Sequence, residues 1–242
     1  MAFDSLGDRM KGQYENRTRV MLPRRTYTVI RVDGKAFHTY TRRCDKPNDA
    51  KVAEALDVAA MALCQEAQGS CLAYVQSDEI SVLLTDFAMP TSEAWFDGNL
   101  QKIVSISASV VTQVFNREHG WYGEALFDSR VFVIPDPVEV ENYFIWRQQD
   151  ATRNSIHGLA QAKFSRTQLH GKSASELQEM LFQAHGINWN DTEPYWKRGH
   201  CVVKSESGWR VDRDAPVFTQ DRDYLGRRIP RQWVAEAQDV SK

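Results

Sequence analysis

Strand-like and helix-like stretches follow one another between residues 25 and 135 in an order that few sheets can accommodate. RTYTVIRV (25–32) is rich in β-branched residues and reads as a strand. KPNDAKVAEALDVAAMALCQEA (46–67) reads as a helix. In it Val52, Leu56, Ala59, Ala60 and Leu63 recur at helical spacing, and Asn48 or Asp49 can cap it. CLAYVQSDEISVLLTDF (71–87) reads as two strands meeting at a tight connection around 76–79. A second helix covers 99–119, and FDSRVFVIP (127–135) is a strand stopped by Pro135 and Pro137. The order β-α-β-β-α-β predicts an α+β fold of ferredoxin-like type: an antiparallel sheet with two helices on one face.

Beyond Pro137 the pattern changes. Residues 138–164 read as a long helix, and 173–186 as a shorter one with a Ser cap and a Gly stop. WKRGHCVVKSESGWRV then reads as a hairpin. The expected division is a ferredoxin-like segment over 1–136 and a helical and hairpin extension over 137–242. The extension is expected to pack beside the sheet and present an RNA-facing surface.

The totals exclude several classes. No run of about 18 apolar residues occurs, so no membrane span is expected. The charged start lacks an apolar secretion segment, which points to a cytoplasmic protein. The four cysteines have no zinc-knuckle spacing and are expected as reduced thiols. A net charge of −2 neither announces nor excludes nucleic acid, because binding depends on local patches such as Lys197-Arg198 and 222–231.

The chemistry concentrates at two acidic points. Asp33 is expected at the end of the first strand, and Asp78 in the turn between the second and third. In this topology the first and third strands are antiparallel central neighbours, so both carboxylates fall at one edge. Asp-Gly and Ser-Asp-Glu are each ordinary turn chemistry. Together at one edge they favour a metal site, since two like charges repel unless a cation sits between them. Hard oxygen ligands with open positions suit Mg²⁺, and two such ions can serve a phosphoryl displacement. Gly34 permits close backbone approach, and its carbonyl can add a ligand oxygen. The amides of Lys35, Ala36, Phe37 and His38 can face a triphosphate. Lys35 and Lys46 add mobile positive charge. The His38 side chain by itself reads as structural. Glu79 reads either as a support for the site or as an exposed turn charge.

RVDGKAFHTYTRRCDKPND (31–49), QSDEISVLL (76–84), FDSRVFVIP (127–135) and YFIWRQQDATRNSI (143–156) resemble, in order and spacing, the successive motifs of the tRNA-His guanylyltransferase family. The segment 187–203 continues the likeness. The resemblance implies a palm like that of ordinary polymerases and nucleotide cyclases. It implies nucleotide addition in the 3′–5′ direction: a tRNA 5′-phosphate is activated by ATP or arrives as a triphosphate, and the 3′-hydroxyl of an incoming NTP attacks it. It implies two Mg²⁺ ions on Asp33 and Asp78 with the Gly34 carbonyl. It places a nucleotide triphosphate (ATP, GTP or another NTP) along 33–38 and on Ser77 and Asp78, with Lys46 and Asp49 beside the phosphates and base. It also suggests a homotetramer.

Family members dedicated to tRNA-His carry His-Ile-Asn-Asn after the WRQ segment. Here those positions are Thr152, Arg153, Asn154 and Ser155, so only the asparagine is kept. The pattern resembles the guanylyltransferase-like branch, which adds templated nucleotides to 5′-truncated tRNAs. Arg153, Asn154, Lys197 and Arg198 are the expected RNA contacts. Three alternatives stand beside this one: a dedicated tRNA-His guanylyltransferase, a palm-type nucleotide cyclase and a non-catalytic RNA-binding module.

Overall fold

The computed structural model describes residues 5–120 and 123–231; the outer ends of the two expected segments, 1–4 and 232–242, lie outside them. A short helix α1 (Leu6–Gln13), unforeseen in the sequence, precedes β1 (Tyr27–Gly34), the one-turn helix α2 (Phe37–Tyr40), α3 (Ala50–Glu66), β2 (Ser70–Gln76), β3 (Glu79–Leu84), α4 (Leu100–His119) and β4 (Phe127–Ile134). There follow α5 (Pro137–Gln161), α6 (Arg166–Leu169), α7 (Ala174–His185), α8 (Pro194–Arg198), β5 (His200–Ser205), β6 (Gly208–Asp212) and α9 (Asp223–Gly226).

The expected β-α-β-β-α-β order is present, and the sheet is larger than that unit. Its six strands run β4-β1-β3-β2-β5-β6, with every neighbouring pair antiparallel. The C-terminal hairpin therefore does not pack beside the sheet. It extends it: Leu72–Val75 of β2 pair with His200–Val203 of β5. The β2 edge of the four-stranded unit would otherwise leave its N–H and C=O groups unpaired.

Alternation along β1 sends side chains to two cores. Ile30 and Val32 pack with Leu56, Ala59 and Leu63 of α3 and Ile103, Val111 and Phe115 of α4. Tyr27 and Val29 pack on the opposite face with Val140, Tyr143 and Phe144 of α5 and with Phe218 and Leu225 of the tail. A smaller cluster, Ile156, Ala160, Leu177 and Leu181, joins the far end of α5 to α7.

Helix boundaries follow local chemistry. The first long helix starts at Ala50 rather than at 46, because Asp49 keeps an extended conformation and caps the amides of Lys51 and Val52. Asp136 caps α5, whose first residue Pro137 needs no amide partner. Ser173 and Glu176 form a capping box on α7, and Gly186 ends it at φ 64°. No helix among the described residues is long and apolar enough to cross a membrane.

Candidate active site

β1 runs two residues further than the apolar run suggests, so Asp33 lies just inside the strand instead of ending it. It pairs with Glu79 of β3 and Asp128 of β4. The extension holds because the Gly34 amide donates to the Asp78 carbonyl at 3.1 Å and Gly34 is registered with Phe127. Ser77 and Asp78 form the two-residue connection between β2 and β3, with Ser77 at φ 49°. The two sequence-predicted carboxylates thus meet across a single backbone hydrogen bond. Their electrostatics record the proximity. Burial and then the Asp33 charge push the Asp78 carboxyl up to about 6, which the Ser77 hydroxyl partly opposes. Burial also raises Asp33, opposed by Arg31 and Arg130 and reinforced by Glu79 and Asp128.

Gly34 is required by space. A Cβ there would come within 2.5 Å of Phe37 Cδ2 and 3.0 Å of Asp78 Oδ2. The donor set suits a hard divalent cation: two carboxylates held against their preference for ionisation, with a backbone carbonyl beside them.

A cavity of about 510 Å³ opens from this edge. Gly34, Ala36, Phe37, His38, Ser77 and Asp78 line one end, and Asn154, Ser155, Tyr195, Trp196 and His200 the other, with 44–49 between them. Ala36, at φ 50°, turns the chain into α2 and leaves the amides of Phe37 and His38 without an intrahelical acceptor. The Lys35 amide is not available to a triphosphate in the same way, since it donates to Leu126 at 2.8 Å. Lys35 itself is exposed, as is His38. The Phe37 ring is buried between Tyr40, Phe115 and Phe127, so only its backbone serves the cavity.

Lys46 and Asp49 are more committed than mobile charge. The Lys46 ammonium donates to the Thr41 carbonyl at 2.9 Å. Asp49 accepts from the Asp45, Lys51 and Val52 amides. Burial works against its charge, but those amides outweigh it and hold the carboxyl below its ordinary value. Donor atoms of Cys44, Asp49 and His119 lie within 4.8 Å of one another here. Asp49 Oδ1 already caps α3 and Oδ2 accepts from the Asp45 amide, so both oxygens are engaged in holding the 45–52 loop and helix start.

The expected RNA contacts are spread out. Arg153, about half exposed, pairs with Asp150 at 2.6 Å. Asn154 lines the cavity. Lys197 donates to the Asn190 carbonyl and lies over the Trp189 ring, and Arg198 donates to the Ala215 carbonyl. Ser155 accepts from Trp189 Nε1 and donates to the Lys197 carbonyl.

The structure decides one group that the sequence left open and adds one that it did not suggest. Glu79 is no exposed turn charge: it is 4% exposed and gripped by Arg147 at 2.7 and 2.6 Å and by Arg31 at 2.7 Å. Asp57, buried within α3, accepts from Tyr195, His200 and Arg213 and so ties α8 and the hairpin to the palm. Alternation hides the first, and the second joins residues more than 130 positions apart.

A family described as tRNAHis guanylyltransferase matches residues 7–135, and one described as Thg1 C terminal domain matches 138–238. The tRNA(His) guanylyltransferase of Schizosaccharomyces pombe is 33% identical over 210 residues, 79% of this chain and 78% of the relative. That of Debaryomyces hansenii is 30% identical over 220 residues, 81% of this chain and 80% of the relative. A solved bacterial tRNA(HIS) guanylyltransferase (Thg1)-like protein in complex with ATP superimposes with a TM-score of 0.89 at 46% identity, covering 93% of this chain and 99% of that one. The Saccharomyces cerevisiae enzyme, at 23% identity and a TM-score of 0.71, shares the fold. With the motifs, the palm sheet and the two carboxylates at one sheet edge all in agreement, the chain belongs to the tRNAHis guanylyltransferase family.

Proposed function

We propose that the protein is a template-directed 3′–5′ nucleotidyltransferase that adds nucleotides to tRNA 5′ ends after ATP-dependent activation of the 5′-phosphate, a repair activity. The observation that carries this reading is the juxtaposition of Asp33 and Asp78 across the Gly34–Asp78 hydrogen bond, at the mouth of a cavity of about 510 Å³. Solved relatives bound to ATP and to GTP support nucleotide binding in such a cavity.

Asp33, Asp78 and the Gly34 carbonyl would hold two Mg²⁺ ions. Bound there, the ions supply charge neutralisation and a lowered pKa for an attacking hydroxyl. The chain's own residues do the positioning. Ala36 turns the free amides of Phe37 and His38 toward the phosphates, and Ser77 hydrogen-bonds the Asp78 carboxylate. The buried Glu79–Arg147 pair fixes β3 beneath them. Catalysis then rests on orientation and electrostatics, with no side-chain general base required.

The templated reading is favoured over a dedicated tRNA-His enzyme by positions 152–155. Thr152 donates to the Gln148 carbonyl and Ser155 is spent on Trp189 and Lys197. Two of the four positions therefore serve the fold. The dedicated reading draws on the names of the curated relatives. A homotetramer belongs to the same proposal and is tested by sedimentation. Incubating the protein with ATP, Mg²⁺ and a 5′-truncated tRNA tests the activity: addition is expected, and its absence on every tRNA contradicts the reading.

A further inference from the structure

We infer that Trp146 is the stacking platform for the 5′-terminal base of the RNA, and that the RNA end enters from the β4 side of the sheet, opposite the nucleotide cavity. This rests on the proposal that RNA is the substrate.

The register separates two approaches to the carboxylates. Strand partners share a face, so Arg31, Asp33, Glu79, Ser81, Asp128 and Arg130 all project toward α5. Asp33 is absent from the lining of the nucleotide cavity, yet its side chain is 33% exposed and Arg130 lies 3.9 Å from it. Asp33 is therefore reached from solvent beside Arg130 of β4, outside the lining of that cavity.

Trp146 stands on the same face. It is 47% exposed on α5, one residue before Arg147. Its neighbour Tyr143 touches Phe132 of β4, whereas Gln148 on the other flank holds Pro216 and Phe218. Trp146 thus borders the β4 side. The ring is not loose. The Arg147 guanidinium lies over it at 4.4 Å, and Tyr143 meets it edge-on at 5.9 Å. Arg147 is itself fixed by Glu79, the residue after Asp78. One guanidinium therefore links an exposed indole to the catalytic edge.

A held aromatic ring beside cations is the arrangement that binds single-stranded or terminal bases without sequence preference. The cation at the ring is Arg147, and two further guanidinium groups on this side of the molecule, Arg130 facing Asp128 and Asp33 and Arg153 paired with Asp150, are 53% and 55% exposed. Exposed guanidinium groups argue for a polyanion on this surface rather than for a second protein. Stacking that tolerates every base also suits an enzyme that must accept whichever nucleotide ends the truncated chain.

The test uses the full protein and a 5′-phosphorylated acceptor-stem duplex lacking its first nucleotide. Trp146→Ala should weaken duplex binding and raise the RNA KM by about tenfold, with the ATP KM unchanged, and Trp146→Phe should restore most of it. Separately, 5-iodouridine at the 5′ terminus should photocrosslink wild-type protein at the peptide containing Trp146. Wild-type RNA affinity in Trp146→Ala, with crosslinks elsewhere, overturns the inference. So does a change of oligomeric state in Trp146→Ala at unchanged RNA affinity, which would make the ring a protein contact. If the wild type itself neither binds nor extends RNA, the functional reading fails and this inference with it.

Discussion

Arg147 of α5 closes a two-pronged ion pair on Glu79 of β3, at 2.7 and 2.6 Å, with both side chains about 95% buried. Glu79 follows Asp78 directly, so this pair sets where the Ser77–Asp78 turn sits. Removing one partner of a buried pair strands the other charge. Arg147→Ala should destabilise the protein by about 3 kcal/mol. Lys cannot make the two-pronged contact, so Arg147→Lys should recover only part of the loss. Urea unfolding of the three proteins checks this, and an Ala variant as stable as wild type would refute it.

Asp78 sets stability against function. Its folded carboxyl is raised to about 6 from an ordinary 3.8. Between those values the folded protein keeps a proton that the unfolded chain releases. Stability without metal is therefore fuller at low pH and falls as pH rises through about 6, by about 2–3 kcal/mol for this group. Asp78→Asn should raise the metal-free Tm at pH 7.5 and abolish nucleotide addition. Adding Mg²⁺ should raise the wild-type Tm but not that of the variant. A lower Tm in Asp78→Asn would show that its charge is not a burden.

Gly34→Ala tests the close approach. The new methyl must displace either the Phe37 ring, which is locked among Tyr40, Phe115 and Phe127, or the Asp78 carboxylate. A stability loss of about 1–3 kcal/mol is expected, with loss of activity at temperatures where the variant remains folded. Full activity would mean that the turn has slack.

Asp57 fastens the far wall of the cavity. Asp57→Ala releases Tyr195, His200 and Arg213 together. Hydrogen exchange should speed up in β5 and β6, and the NTP KM should rise more than kcat falls. An equal effect on kcat with unchanged exchange would place Asp57 in the chemistry instead.

Arg153 and Lys197 should separate by salt. Arg153 is exposed, and its partner Asp150 is shared with Arg147, so Arg153→Ala should weaken RNA binding and reduce the salt slope by about one. Lys197 is held by Asn190 and Trp189, so Lys197→Ala should cost stability with little change in slope. Equal slopes for both variants would contradict this division.

The palm was legible because its elements carry their own periodicity and boundary signals, such as Asp49 before α3 and Pro135 after β4, and Gly186 marks the end of α7 in the extension in the same way. The pairing of Asp33 with Asp78 followed from strand order alone. The addition of β5 and β6 to the sheet was not legible, since an edge strand's choice of neighbour leaves no local mark. Nor were the fates of Lys46, Lys35 and Glu79. The Lys46 ammonium and the Lys35 amide each turn on one carbonyl and Glu79 on two guanidinium groups, and sequence spacing does not fix which partner a polar group meets.

The measurement that tests the central claim most directly is addition to a 5′-phosphorylated tRNA lacking its first nucleotide, with ATP, Mg²⁺, each NTP in turn, and each base placed opposite the gap. The added nucleotide should follow the opposing base, and Asp33→Ala and Asp78→Ala should add none. Addition of G alone, to tRNA-His alone and whatever base stands opposite, would contradict the templated reading.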